Sequence, residues 1–362
     1  MPKWQRVAGA ASAPAQKVPP AVIAKRPTLR TIAAASGFAV TTVSRALAGD
    51  VRIAVSTRDT VARIARDLGY VPDRAAQRLR TGRTNVIALV LSPHDEILGF
   101  RGSMIAGLQQ AVAGTRYHIS MAPYDADSDP MVPVRHILTH ALADGIVFSG
   151  TRPDDPRVAY LAQAGFPFVS HGRTDAAQPH AWCDYDNDAF AQMAVRRLAA
   201  RGRRRVVLIP PQPDRTYARH MRDGLLAAAA TCGVTPLLQP GLTLATPAEQ
   251  MQLAAARLRR DDGIDGFICP GEVAAMAVLA GLHDMGETVG GGVDVIAKQT
   301  SQTFDLCRPV IDTIMEDIRT AGETLGQLLL RAIAGELAAG LQVLMPPRAN
   351  FRLGPQAQGQ QT

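Results

Sequence analysis

The sequence has few of the residues that metal sites, disulfides and common catalytic motifs require. Its four cysteines are far apart, with no Cys-x-x-Cys pair, and no histidines cluster at metal-ligand spacing. It also has no Gly-x-x-x-x-Gly-Lys-Ser/Thr loop, no Gly-x-Gly-x-x-Gly fingerprint and no nucleophile elbow. We therefore expect buried free thiols in a reducing cytoplasm, no metal and no cofactor, and we do not expect an enzyme.

Long apolar runs are absent as well. No stretch approaches the length that spans a membrane, and residues 1–24, rich in Ala, Pro and Lys, lack the apolar core of a signal peptide. We interpret residues 1–26 as a flexible extension and the Gln-rich residues 355–362 as a flexible tail. The sequence thus predicts a cytoplasmic protein with no membrane partner.

Positive charge is concentrated at the start of the chain. Residues 1–83 contain fifteen Lys and Arg against four Asp, a net charge of +11. Because the whole chain carries +7, residues 84–362 carry −4. The positive charge of residues 1–83 suits binding to the phosphates of nucleic acid. The small negative charge of residues 84–362 suits a domain that binds an uncharged ligand.

Within the basic part, the pattern of residues 28–48 indicates two short helices. Apolar side chains recur at helical spacing on either side of Gly37, where a tight turn needs a residue without Cβ. This is typical of a helix-turn-helix. The outer face of the second helix, about 40–48, carries hydroxyl groups and Arg45, which suit base edges and phosphates. For these residues alone, the solvated face of an ordinary helical hairpin is an equal alternative.

The residues that follow favour DNA binding. A third apolar helical face ends at Gly69, and the sequence G-Y-V-P-D-R-A-A-Q-R-L-R-T-G then fills residues 69–82. Together with T-L-x-x-I-A-x-x-x-G and T-V-S-R-A-L in residues 28–47, this sequence resembles the LacI/GalR family of transcriptional regulators. The resemblance implies a helix-turn-helix DNA-binding domain at 27–71, followed by a hinge helix and linker at 72–83.

The resemblance also assigns DNA contacts residue by residue. Base-reading positions are Val40, Thr41 and Arg45, phosphate-contacting positions are Thr42 and Ser44, and minor-groove positions are Ala76 and, as a wedge between base pairs, Leu79. Further expected contacts are Thr28, Arg52, Asp73 and Gln77. The implied partner is a double-stranded palindromic operator, bound by a homodimer.

Three positions depart from the family pattern. Val40 is apolar and suits only a group such as a thymine methyl, and Ala39 replaces the usual small hydroxyl residue. Ala54 stands where the family often places the serine cap of the third helix, so we expect Ser56 to provide that cap, with Asp59 completing a capping box. These departures leave the operator sequence open.

After Arg83 the pattern changes to strands alternating with helices. Continuous apolar runs, such as residues 85–91, are typical of strands buried on both faces of a parallel sheet. Two consecutive sets of such units predict two doubly wound halves. The predicted fold class is α/β: an all-α helix-turn-helix domain with a hinge helix, then a two-lobed core of parallel sheets flanked by helices, similar to a periplasmic sugar-binding protein.

We expect the effector-binding and dimerisation domain to span residues 84–354. Lobe 1 is predicted at about 84–184 and 316–343, and lobe 2 at about 185–315 and 344–354. Ligand contacts in such folds come from the loops that follow strands, at the cleft between the lobes. The candidate effector-binding residues are Ser149, Thr151, His171, Arg173, Tyr217, His220, Glu272, Lys298, Gln299 and Glu316.

His171 and Arg173 are the strongest pair in this set, because a guanidinium beside an imidazole suits neighbouring sugar hydroxyls or a carboxylate. The alternative is that Arg173 bridges the lobes through an acidic partner and His171 is an interior histidine. The chain also resembles the branch of the family found near α-glucoside and related sugar uptake genes. This resemblance is carried by P-F-V-S-H-G-R-T at 167–174, A-K-Q-T-S at 297–301 and the later pair Glu316-Asp317.

That resemblance implies an allosteric regulator, a repressor, whose effector is a small molecule and specifically a sugar. A purine or an organic acid is the alternative effector. Two further alternatives are a ligand-independent architectural protein that bends DNA and a sugar-modifying enzyme fused to a DNA-binding module.

Overall fold

The computed structural model describes residues 27–71, 78, 82–91, 98–122, 128–238 and 241–354. The chain divides between Gly82 and Arg83 into two compact units, which we describe separately. The hinge residues Asp73, Ala76, Gln77 and Leu79 lie outside the described residues. In the part of the chain that the structure covers, no helix is both long and apolar enough to cross a membrane.

Residues 27–71 of the first unit form three helices, α1 (Leu29–Ser36), α2 (Val40–Leu47) and α3 (Val55–Asp67). Thr28 caps α1, because its hydroxyl accepts a hydrogen bond from the Thr31 amide and the Thr31 hydroxyl accepts one from the Thr28 amide. Gly37 ends α1 with a φ of 74°, the left-handed conformation that glycine adopts without strain. The turn between α1 and α2 therefore forms where the sequence predicts it.

A small apolar core holds these helices together. Its buried residues are Ile32, Val43, Ala46, Val61 and Ala65, each at most 6% exposed. The predicted cap of the third helix is wrong. Ala54 takes the N-cap position without any side-chain hydrogen bond, and Ser56 lies inside α3, where its carbonyl accepts from the Thr60 hydroxyl at 2.8 Å.

The described residues of the second unit form two six-stranded sheets. The first comprises β1 (Val86–Val90), β2 (His118–Met121), β3 (Gly145–Phe148), β4 (Phe168–His171), β5 (Ala181–Tyr185) and β11 (Gln342–Met345), in the order β11-β5-β4-β3-β1-β2. The second comprises β6 (Arg205–Leu208), β7 (Thr235–Leu237), β8 (Gly266–Cys269), β9 (Asp294–Gln299), β10 (Asp312–Met315) and β12 (Arg348–Asn350), in the order β12-β10-β9-β8-β6-β7. All pairings are parallel except that of β12 with β10.

Helices cover both faces of each sheet, so each lobe is doubly wound as predicted. Lobe 1, built on the first sheet, carries α4 (Phe100–Val112), α5 (Met131–Thr139), α6 (Pro156–Gln163) and α12 (Ile318–Ile333). Lobe 2, built on the second sheet, carries α7 (Asn187–Ala200), α8 (Thr216–Cys232), α9 (Ala248–Asp261), α10 (Glu272–Asp284) and the short α11 (Thr303–Leu306). The chain crosses between the lobes after β5, after β10 and after β11.

The second crossing brings α12 back to lobe 1, where it packs closely against α4. Gly107 makes this approach possible, because a Cβ on it would lie 2.0 Å from the Arg319 carbonyl oxygen. Gly322 on α12 has the same role, since a Cβ there would lie 2.5 Å from the Met104 carbonyl oxygen. This helix pair fixes where the segment before α12 lies, and that segment carries Glu316.

The cysteines are free, as predicted, but only two of the four are buried. Cys183 and Cys269 are buried, whereas Cys232 and Cys307 are half-buried. Burial raises the pKa of the Cys183 thiol to about 12, so it stays protonated and unreactive at neutral pH.

Candidate DNA interface and ligand cleft

The outward face of α2 is the candidate DNA interface. Val43 and Ala46 of this helix are buried in the core, while Val40, Thr41 and Arg45 are exposed. Two further residues of this face, Thr42 and Ser44, are half-buried. The five residues of α2 assigned to DNA contact therefore lie away from the core. On this face a guanidinium, hydroxyl groups and one apolar side chain can contact a DNA major groove.

Two other residues predicted to contact DNA also form hydrogen bonds within the first unit. Arg52 donates to Asp50, with Nη2 2.7 Å from Oδ2, and this hydrogen bond holds the pKa of the Asp50 carboxyl well below its usual range. Thr28 caps α1 through its hydroxyl. Both residues are exposed, and their contact with DNA stays a prediction.

A small cavity, of about 40 Å³, lies between the lobes of the second unit. Residues that follow strands line most of it, because the carboxyl ends of both sheets point toward the cleft. Its lining comprises Phe100, Gly150, Thr151, His171, Gly172, Asp184, Asn187, Tyr217, Lys298 and Glu316. The structure thus brings together five of the ten predicted effector residues, namely Thr151, His171, Tyr217, Lys298 and Glu316.

Lys298 lies at the centre of the polar groups in this cavity. Its Nζ is 2.8 Å from Glu316 Oε2 and 2.8 Å from Asn187 Oδ1. The ammonium also lies 4.5 Å from the centre of the Tyr185 ring. Lys298 is only 4% exposed, so its charge is balanced by Glu316 inside the protein rather than by solvent.

Arg173 and His220 lie beside the cavity rather than in its lining. Arg173 Nε is 2.7 Å from Asp184 Oδ2 within lobe 1, and Arg173 Nη2 is 3.4 Å from His220 Nδ1 on α8 of lobe 2. Arg173 therefore bridges the lobes, but through an imidazole and not through its acidic partner. Burial and the neighbouring Arg173 and Arg219 cations lower the pKa of His220, which favours the neutral ring.

His171 reaches the cavity from the end of β4. Its Nε2 lies 3.9 Å from Glu316 Oε1, beyond hydrogen-bond distance, and its ring centre lies 5.7 Å from that of Phe100. The imidazole, the carboxylate and the aromatic ring thus surround a space that a hydroxyl-bearing ligand could enter.

Glu272 uses its carboxylate to hold loops together. Oε1 accepts from the Thr300 amide at 3.1 Å and from the amide and hydroxyl of Ser301 at 3.0 and 2.8 Å. Oε2 accepts from the Leu98 amide at 3.0 Å and from the Thr300 hydroxyl at 3.2 Å. Because Leu98 belongs to lobe 1 and Glu272 to lobe 2, this buried carboxylate joins the lobes.

Ser149 and Gln299 are likewise outside the cavity lining. The Gln299 amide donates to the Ser301 carbonyl at 2.8 Å and accepts from the Thr313 hydroxyl at 2.6 Å. The Ser149 carbonyl accepts from the buried Arg157 guanidinium at 3.0 Å. A direct effector contact by these two residues, or by Glu272, stays a prediction.

Sequence reasoning missed half of the cavity lining. Asp184 lies near the end of β5 and Asn187 begins α7, but residues 181–185 are not a continuous apolar run and are therefore not predicted as a strand, so the loop after them was not considered. Gly172 was missed although it lies inside the motif around His171. Its φ is 112°, and a Cβ there would lie 2.4 Å from Thr151 Oγ1. Glycine is therefore required beside this hydroxyl.

Further contacts hold the lobes closed over the cavity. The Thr216 amide donates to the Thr151 carbonyl at 3.0 Å, and Arg215 Nη1 donates to the Gly150 carbonyl at 2.8 Å. Nearer the surface, Arg219 Nη2 lies 2.7 Å from Asp175 Oδ1. Because these contacts join α8 and the residues preceding it to lobe 1, opening the cleft would break them together.

A three-helix reader joined in one chain to a two-lobed cleft defines the class of ligand-responsive DNA-binding proteins. Family models match both parts: bacterial regulatory proteins of the lacI family at residues 28–73, and a periplasmic binding protein-like domain at residues 195–353. In its DNA-binding part the chain is thus similar to the LacI family of bacterial regulatory proteins.

Several relatives and solved structures resemble the chain. It is 34% identical to the HTH-type transcriptional regulator RafR of Escherichia coli over 221 residues, covering 60% of this chain and 65% of the relative. It is 26% identical to the HTH-type transcriptional regulator CelR of Thermobifida fusca, covering 89% of this chain and 96% of that one.

Two solved structures share the fold. A transcriptional regulator CelR-cellobiose complex has a TM-score of 0.67 at 24% identity, covering 91% of this chain and 99% of that one. The lac repressor dimer bound to operator and the anti-inducer ONPF has a TM-score of 0.76 at 18% identity, covering 92% of this chain and 100% of that one.

Proposed function

We propose that the protein is a transcriptional repressor that binds a palindromic operator as a homodimer and responds to a neutral sugar bound between the lobes. The exposed Thr41 and Arg45 on α2 support the DNA-binding half of this proposal. One module of three helices offers few contacts to bases, so two copies related by a twofold axis are expected to read the operator. Cytoplasmic location and the absence of enzymatic activity follow from the same role.

The charge balance of the cleft carries the proposal of a neutral ligand. Lys298 is paired with Glu316 and Arg173 with Asp184. An anionic effector needs a cation that is not already neutralised, and both of these cations already have a carboxylate partner. Hydroxyl, amide and aromatic groups of Thr151, Tyr217, Asn187 and Phe100 complete a lining that suits a sugar with many hydroxyls.

The names of the relatives agree with a carbohydrate effector. The CelR structure is a complex with cellobiose, and the CelR sequence matches nearly the whole of this chain. Binding of a sugar would stabilise one arrangement of the two lobes, because residues of both lobes line the cavity. A shift between lobe arrangements in a dimer would change the spacing of its two DNA-binding units.

A thermal-shift panel tests the ligand class. The full chain is mixed with neutral sugars, with purine bases and with organic acids such as citrate, each over a range of concentrations. A melting temperature that rises with concentration for a sugar alone is the expected result, since a ligand that binds the folded state stabilises it by mass action. A rise with a purine or an organic acid instead would reject the neutral-sugar assignment.

Arg45→Ala tests base reading by α2. We expect it to remove about 1–3 kcal/mol of the preference for a selected operator over scrambled DNA, because Arg45 is the exposed guanidinium assigned to a base edge. Nonspecific, salt-sensitive binding should change little. Fluorescence anisotropy with both DNAs measures the difference.

Arg63→Ala is the matched control for this variant. Arg63 is an exposed arginine of α3 that lies 3.5 Å from Asp67, and it is not among the residues assigned to DNA. Its loss should leave the preference for the operator unchanged. If Arg45→Ala weakens binding to operator and scrambled DNA equally, Arg45 contacts phosphate and does not read a base.

A further inference from the structure

The chain enters the two-lobed unit at Arg83, and one carboxylate holds the two residues that follow. Asp144 Oδ1 accepts from the Thr84 amide at 2.7 Å and from the Thr84 hydroxyl at 2.8 Å. Asp144 Oδ2 accepts from the Asn85 amide at 2.9 Å. In the part of the chain that the structure describes, the hydrogen bonds to this carboxylate all come from the end of the linker.

Asp144 itself belongs to the framework of lobe 1. It directly precedes β3, which lies between β1 and β4 inside the first sheet. Its main chain is also paired with the start of β1, because the Asp144 amide donates to the Val86 carbonyl at 2.8 Å. The carboxylate therefore extends the link between β1 and β3 by two residues toward the linker.

The backbone turns at the point where this carboxylate acts. Asn85 has a φ of 54°, in the left-handed region that asparagine enters more readily than most residues. The turn ends the extended conformation of β1, so the amides of residues 84 and 85 need an acceptor other than a neighbouring strand. Asp144 provides it, and the direction in which the linker leaves lobe 1 is fixed by the same three hydrogen bonds.

Lobe 2 has an equivalent carboxylate with no linker attached to it. Asp265 directly precedes β8, and its Oδ1 accepts from the Arg204 amide at 3.0 Å and from the Arg205 amide at 2.9 Å. The residues before Arg204 lead back to α7 of the same lobe. The shared arrangement stabilises each lobe, but only in lobe 1 does it hold residues that continue toward the DNA-binding unit.

Loss of the Asp144 carboxylate would release residues 84 and 85 to the linker. Two extended residues add about 7 Å of reach. A movement of lobe 1 smaller than this slack would no longer change the spacing of the two DNA-binding units in a dimer.

We propose that Asp144 is a positioning residue for operator binding, which fixes the end of the linker to lobe 1 so that the lobe determines where the DNA-binding unit is held. This inference rests on the proposed function as a dimeric, operator-binding regulator. Asp144 acts through Thr84 and Asn85 and contacts neither DNA nor effector in this role.

Fluorescence anisotropy on the full chain tests the role without any sugar. The duplexes are an operator selected from random sequences and a scrambled version of it, at fixed salt. Asp144→Ala is expected to lower operator affinity about tenfold, because looser linkers reduce the effective concentration of the second DNA-binding unit at its half-site. Affinity for scrambled DNA should change little, since nonspecific binding depends mainly on charge.

Asp265→Ala is the matched control, because Asp265 is half-buried like Asp144 and binds the corresponding main-chain amides in lobe 2. It should lower the melting temperature by a similar amount and leave operator affinity unchanged. Asp144→Asn keeps one of the two acceptor oxygens and should give an intermediate loss of operator affinity. This conservative variant also tests the role if Asp144→Ala does not fold.

A second set of titrations adds glucose, galactose, maltose, cellobiose, melibiose or raffinose. A sugar that raises the melting temperature is expected to change operator affinity in wild type and in Asp265→Ala. In Asp144→Ala the same sugar should still raise the melting temperature, but most of its effect on operator affinity should be lost.

The possible failures can be told apart. If Asp144→Ala and Asp265→Ala have equal effects on operator affinity, Asp144 only stabilises lobe 1, and the inference is rejected while the proposed function stands. If wild type does not prefer operator over scrambled DNA, the proposed function and the inference both fail. If none of the sugars raises the melting temperature, the sugar effector is rejected and the comparison without sugar decides the inference.

Discussion

Glu272→Ala is expected to lower the free energy of unfolding of the two-lobed unit by about 3–5 kcal/mol. Glu272 is fully buried, and its two oxygens accept from Leu98 in lobe 1 and from Thr300 and Ser301 in lobe 2. Removing the carboxylate leaves several buried donors without an acceptor and removes one of the contacts that hold the lobes closed. Urea unfolding of the full chain, followed by circular dichroism, measures the loss.

Glu287→Ala is the matched control for this variant. Glu287 Oε1 lies 2.7 Å from Arg259 Nε, but both side chains are about one quarter exposed, so the pair contributes at most about 1 kcal/mol. Similar small losses in the two variants would contradict the assignment of Glu272 to lobe closure. A large loss in Glu272→Ala with unchanged ligand affinity would mean that closure at this point does not affect the cleft.

Lys298→Met is expected to abolish the response to effector and to destabilise the two-lobed unit by about 3–5 kcal/mol. The substitution keeps the length of the side chain but leaves the buried Glu316 carboxylate without its cation and Asn187 Oδ1 without its donor. Glu316 lines the cavity between the lobes, so an uncompensated charge there disturbs the whole site. Chemical denaturation and titration with the sugar found in the thermal-shift panel measure the two effects.

The double variant Lys298→Met/Glu316→Gln separates folding from binding. It removes both charges, so most of the lost stability should return, because replacing both members of a buried ion pair is often nearly neutral. The ligand response should stay absent, since the carboxylate and ammonium that face the ligand are gone. If the double variant binds the sugar as tightly as wild type, the ion pair serves only the fold.

The DNA-binding unit could be predicted well from sequence because the features that determine its helices and turn lie close together in the chain. Helical spacing of apolar residues and a glycine between two helices determine the turn at Gly37, and both are visible within about twenty residues. The error at Ser56 was also local. Helix α3 starts at Val55, and its N-cap position is Ala54, which makes no side-chain hydrogen bond and lies two residues before Ser56.

The two-lobed unit was predicted in outline, and the strands that were missed share one feature. β5 and β10 carry the buried carboxylates Asp184 and Asp312, which interrupt the apolar runs by which the other strands were recognised. Each carboxylate is neutralised by an arginine distant in sequence: Arg173 lies 2.7 Å from Asp184 Oδ2, and Arg197 lies 2.6 Å from Asp312 Oδ2. Such pairings depend on tertiary structure and leave no local pattern.

Most of the cleft residues that the sequence predicts follow a recognised strand, and Glu316, which follows the missed β10, is the exception. His171 and Lys298 lie at or near the ends of predicted strands, and both line the cavity. Glu272 also follows a predicted strand, yet its carboxylate accepts hydrogen bonds from main-chain amides of neighbouring loops. Sequence position identifies which residues are near a cleft, but hydrogen-bond partners decide which of them face a ligand.

The most direct test of the account is whether effector binding changes operator binding in the full-length protein. Operator and scrambled duplexes are titrated by fluorescence anisotropy at fixed salt, with and without a saturating amount of the sugar identified by thermal shift. We predict a change of about 5- to 150-fold in affinity for the operator and little change for scrambled DNA. A sugar that raises the melting temperature but leaves operator affinity unchanged would contradict the coupling between cleft and DNA reader.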